Sequence, residues 1–116
     1  MAFTLKQSET FTWPVRVSFP IDGGKYRHET FDAEFRRIGQ SEVQALAEKV
    51  TSGESSAEDV IRDILVGWSG INDDDGAELP FSEKARDQLL EVALVAGATL
   101  NAFLDAYAGG NAKRKN

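Results

Sequence analysis

At 116 residues, with 41% hydrophobic and 28% charged side chains, the chain has the size and composition of one soluble domain that buries its own core. It has no cysteine, which excludes disulfides, thiolate zinc sites and cysteine nucleophiles. The net charge of −6 is concentrated in residues 39–108, where four basic side chains face fourteen acidic ones; such a body repels phosphate backbones and argues against nucleic-acid binding.

No run approaches the roughly 18–20 apolar residues of a membrane span. The first residues lack the basic and apolar regions of a signal peptide. A cytoplasmic protein with no membrane partner is expected.

The first element is a strand. Phe11, Trp13, Val15, Val17 and Phe19 alternate with Thr12, Pro14, Arg16 and Ser18, a period of two. Pro14 has no N–H to give a ladder, so the strand should be an edge or have its N–H side unpaired there. Pro20-Ile21-Asp22-Gly23-Gly24 supplies a turn. A return strand follows from Lys25 to Arg37, with Phe31, Ala33 and Phe35 on one face. Tyr26 and Thr30 lie on the opposite parity, which suggests a bulge at His28–Thr30. Two strands alone are marginal, so a helix layer, a third strand or a neighbouring subunit must cover them. Ala2–Leu5 is a candidate third strand.

After Gly39 the period changes to 3.6. Ser41, with Gln44 behind it, is placed to cap a helix over about 41–51, whose stripe is Val43, Leu46, Ala47 and Val50. Ser55 or Ser56 caps the next, over about 56–68, with Val60, Ile61, Ile64, Leu65 and Trp68 as its apolar face. Gly67 and Gly70 read as its end. An acidic loop carries Asp73-Asp74-Asp75-Gly76. Beyond it Ser82 caps a third helix over about 82–108, long for a small domain and expected to break near Glu91–Val95. Trp68 should pack beside Leu79 and Phe81 at the corner between helices. The fold class is α+β: an N-terminal hairpin at 11–37, then three to four helices over 41–108. Residues 109–116 are expected to be a flexible basic tail on this single domain.

Chemistry is scarce. The acidic loop imitates the start of an EF-hand. With Gly76 at the sixth position, however, Ile71 takes the first and Ser82 the twelfth, so two essential carboxylates are missing. A solvated turn explains the same residues. His28 is the lone histidine, too little for a triad or a zinc site. There is no phosphate-binding glycine motif. No catalytic residue, cofactor or metal is assigned, and an enzyme is not expected. The surplus of apolar helix surface suggests a protein partner instead. Leu100, Phe103, Leu104 and Tyr107 on the last helix, with Trp68, are the candidate contacts.

Several segments, in the same order along nearly the whole chain, carry a family likeness. They are Trp13-Pro14-Val15-Arg16-Val17, Pro20-Ile21-Asp22-Gly23-Gly24, Phe31-Asp32-Ala33-Glu34-Phe35-Arg36-Arg37-Ile38, Gly67-Trp68-Ser69-Gly70-Ile71, Asp75-Gly76, Leu79-Pro80-Phe81-Ser82, Phe103-Leu104-Asp105-Ala106-Tyr107 and Lys115-Asn116. In these the chain resembles the tail assembly chaperones of long-tailed phages and prophages. The resemblance implies a non-enzymatic protein of the bacterial host cytoplasm, absent from the mature virion. It would bind the tape measure protein, keep it soluble and help recruit major tail tube subunits, with a homo-oligomer as a further candidate assembly. Many such proteins also exist in a longer frameshifted form; this chain would be the short form or a member lacking it. Another small phage or bacterial interaction protein, such as a head–tail adaptor or an antitoxin, remains the alternative.

Overall fold

The computed structural model describes residues 3–109, and over them the chain is α+β. The basic tail expected at 109–116 lies, beyond Gly109, outside the described residues, as does Ala2. The elements in order are β1 (Thr10–Ile21), β2 (Lys25–Arg36), α1 (Gln40–Ser52), α2 (Ala57–Ile64), β3 (Leu65–Ser69), α3 (Glu83–Leu90) and α4 (Val95–Tyr107).

The three strands form one antiparallel sheet in the order β1-β2-β3. Pro14 is therefore on an edge strand, as its missing donor requires. The Arg37 N–H donates to the Glu9 carbonyl at 2.8 Å. Carried along the register from Thr10↔Arg36 to Ile21↔Lys25, this bond puts odd-numbered β1 residues in the hydrogen-bonded pairs. Pro14 and Pro20 thus both turn outward and remove two donors from the free edge, a guard against edge-to-edge pairing. The bulge expected at His28–Thr30 is absent, because this register runs unbroken. The irregularity falls at Glu34/Phe35, where β2 meets β3.

The third strand comes from the middle of the chain, and residues 3–5 form none. The helix expected over 56–68 stops at Ile64, and Leu65–Ser69 pairs with β2 instead. Two physical reasons decide this. The inner edge of β2 needs partners for its backbone groups. The missing Cβ at Gly67 also leaves room for the Glu34 side chain of β2, whose Oε1 would lie 2.5 Å from one. Gly67 thus sits within a strand. Gly70, at φ +87°, turns the chain out of that strand.

Local signals set the helix starts unevenly. Ser56 and Asp59 form a reciprocal capping box on α2, and Ser82 Oγ accepts the Ala85 N–H on α3. For α1 the expected Ser41 cap is wrong: the helix begins one residue earlier, with Gly39 at its N-cap and no side-chain bond. Its stripe of Val43, Leu46, Ala47 and Val50 is only half-buried. Arg36 holds the helix from outside, reaching Glu42 and Asp63 at 3.0 Å each. The break expected near Glu91–Val95 is present, a bend of 106° between α3 and α4.

The core lies between one sheet face and the helices. Val15, Val17, Phe31, Ala33 and Phe35 project from the sheet. Val60, Ile61 and Ile64 of α2 and Val95, Leu100 and Phe103 of α4 meet them. Pro20–Thr30, the distal end of the hairpin, is exposed throughout. Among the described residues no single helix is long and apolar enough to cross a membrane.

Candidate partner-binding surface

Four of the five candidate contacts sit on or beside α4, and the structure divides them. Phe103 is fully buried and Leu100 is 7% exposed. Both belong to the core of the folded chain rather than to its surface. Because α4 lies across β1, Phe103 meets Phe35 edge-on at 5.1 Å and stacks on Phe11 at 6.3 Å. Leu104 and Tyr107 are half-buried at the margin of that cluster. The Tyr107 hydroxyl accepts the Ile38 N–H at 2.8 Å, and its ring meets Phe11 edge-on at 5.6 Å. Tyr107 therefore ties α4 to the end of the hairpin.

Trp68 is also structural. It pairs with Ala33 across the sheet, its Nε1 donates to the Leu79 carbonyl at 2.8 Å, and its ring meets Phe81 edge-on at 4.9 Å. The expected packing of Trp68 on Leu79 and Phe81 is present, but it pins a strand to the entry of α3 rather than two helices to each other.

The acidic loop is built as a turn. Asp73 Oδ1 accepts the N–H groups of Asp75 and Ala77 at 2.9 and 3.0 Å, and Gly76 takes φ +85°. The Leu79 N–H returns to the Ile71 carbonyl at 2.7 Å. Asp73 thus spends one carboxylate oxygen on the backbone, and among the described residues no group of three or more His, Cys, Asp or Glu could hold a metal ion. His28 is exposed, with Nδ1 2.8 Å from Ser18 Oγ and no orienting carboxylate bonded to it.

The apolar surface left open lies elsewhere. A groove of about 300 Å³ runs between the outer half of the hairpin and α3, floored by Val17, Phe19, Phe31, Ile71, Leu89 and Val92. A second hollow of about 300 Å³ continues it past Ile71, Leu89 and Val92 to Leu79, where Asp73 and Asp74 form the bank. Val92 is 44% exposed. On the hairpin side Arg27 neutralises Glu29 at 2.7 Å and lies over the Phe19 ring. Asp73 and Asp74 give the other end of the groove an acidic wall. A wider cleft, about 500 Å³, separates the free edge of β1 from α4, lined by Trp13, Arg16, Leu94, Ala98, Asn101 and Asp105.

Ile71, Leu89 and Val92 are the surface residues that sequence reasoning passes over. The three-residue spacing of Leu89 and Val92 marks a helix face, but spacing does not say whether the chain's own core covers that face. No family model, curated protein or solved structure matches the chain.

Proposed function

We propose that this protein is a phage tail assembly chaperone that binds helical segments of the tape measure protein through the groove between the hairpin and α3. One observation carries the reading: an apolar groove on the outside of the core, banked by Asp73 and Asp74 on a chain of net charge −6. A groove of this kind suits an amphipathic helix with apolar residues on one face and lysine or arginine beside it. The net negative charge then keeps the complex dispersed. The family resemblance supplies the identity of that helix. It also implies action in the host cytoplasm, recruitment of tail tube subunits and absence from the mature virion.

The test is co-expression with the cognate tape measure protein. The wild-type chain is expected to keep that protein soluble and to co-purify with it in several copies. Leu89→Ser with Val92→Ser should leave the circular dichroism spectrum unchanged while the tape measure protein precipitates. A wild-type chain that leaves a well-expressed tape measure protein insoluble overturns the assignment. A double variant that still solubilises it removes the groove from the contact.

A further inference from the structure

The elbow between α3 and α4 falls where the length of the last helix calls for a break, but no local residue signal places it there. Leu89-Leu90-Glu91-Val92-Ala93-Leu94-Val95-Ala96 contains no glycine, proline, serine, asparagine or aspartate. These are residues that continue a helix, apart from the mild reluctance of valine. The chain nevertheless turns by 106° there. Leu94 takes φ +78°, the lone positive value at a non-glycine residue among the described residues. That conformation disfavours a side chain such as leucine by roughly tenfold in equilibrium terms. Leu94 is also the N-cap of α4 and makes no side-chain cap bond, whereas Ser56 and Ser82 cap α2 and α3. At the other side of the elbow, α3 ends on Glu91 in ordinary right-handed geometry, with no glycine to terminate it. Val92 and Leu94 stand 44% and 53% exposed on the bend.

The bend is held from outside, by the seat of α4. Val95, Leu100 and Phe103 are buried against the sheet and α2. A single chain cannot straighten the elbow without emptying that seat. A second copy offers the same seat, so two straightened chains exchanging α4 keep the contacts of α4 with the sheet and α2 and lose both strained elbows. Hinges that are short and strained are the ones that swap. We infer that the α3–α4 elbow is a domain-swap hinge, with α4 of each copy seated on the body of a second copy through one unbroken helix from Glu83 to Tyr107. The inference does not depend on what the groove binds.

The test refolds the full chain at low and high concentration and separates monomer from dimer by size-exclusion chromatography with light scattering. A dimer favoured by high concentration is expected. The cysteine-free chain accepts spin labels at Lys84→Cys and Asn101→Cys, both exposed sites on either side of the elbow. Diluted with unlabelled chain, the dimer should show an intrachain separation near 26 Å, the rise of an unbroken helix between those positions. The monomer should fall short of that. Leu94→Gly removes the strain from the bent form and weakens the straight helix. It should lower the dimerisation constant at least tenfold while the monomer melts no earlier than wild type. The inference is overturned by a chain that stays monomeric up to its solubility limit. It is equally overturned by a dimer with the monomer's intrachain distance, or by a folded Leu94→Gly chain that dimerises as well as wild type.

Discussion

Phe103 and Tyr107 are one turn apart on the same helix, yet they play different parts. Phe103 is enclosed by Phe11, Phe35 and Tyr107. Phe103→Ala should lower the unfolding free energy in urea by about 3–5 kcal/mol, the usual cost of emptying an aromatic core site. Tyr107→Phe keeps the ring but leaves the Ile38 N–H without its acceptor, and should cost about 1–2 kcal/mol. Trp68→Ala loses a half-buried ring and its bond to Leu79, and about 2–4 kcal/mol is expected. An unchanged thermal midpoint in Trp68→Ala would show that the corner is not held by that ring. The apolar stripe Leu100–Tyr107 is plain in the sequence, but spacing shows only that one side is covered. Whether the cover is the chain's own sheet or a partner depends on where α4 is laid.

At the scale of elements, the serines divide in a way that measurement can check. Ser56→Ala and Ser82→Ala should each cost about 1 kcal/mol, because each hydroxyl caps a helix. Ser41→Ala should fall within about 0.5 kcal/mol of wild type, since Ser41 caps nothing. Equal losses at all three sites would contradict the assigned start of α1. Arg36 links that helix to α2. The hydrogen bond to Glu42 is the largest of the influences that hold its guanidinium above the ordinary arginine pKa, with Asp63 adding to it against partial desolvation. A base with a raised folded pKa stabilises below its unfolded value and loses that stabilisation as pH rises through the folded one. For arginine that window is strongly alkaline, so the proton on Arg36 introduces no pH dependence near neutrality. The serine caps of α2 and α3 were readable because each depends on a few adjacent residues. Strand β3 was not. Val60, Ile61, Ile64, Leu65 and Trp68 fit a helix face, and only the vacant edge of β2 and the room Gly67 leaves for Glu34 favour an extended chain.

Across the whole molecule, burial is uneven along the hairpin. The half of the ladder holding Val15, Val17, Phe31 and Phe35 lies under the helices, while Pro20–Thr30 reaches beyond them into solvent. Amides of the hydrogen-bonded pairs near the turn, such as Phe19↔Arg27, should exchange with deuterium well before those of Val15↔Phe31. Uniform protection along the hairpin would show that its outer half is covered, as it would be by a second copy or a bound partner. The groove beside this outer half is where surplus apolar surface and the acidic loop come together.

By itself the sequence determined the α+β class, the hairpin and its edge position, two of the three helix caps and the breaking of the last helix. Each is local: alternation, a missing proline donor, a serine ahead of an apolar run, or a length that a small body cannot keep straight. Tertiary structure alone decided that Leu65–Ser69 is a strand, that Leu100 and Phe103 are core, and that Ile71, Leu89 and Val92 form an open groove. Those outcomes depend on contacts between segments far apart in the chain, Gly67 with Glu34 and Phe103 with Phe11 and Phe35. An apolar side chain carries no mark of which surface will cover it, because the hydrophobic effect rewards removal from water without regard to direction.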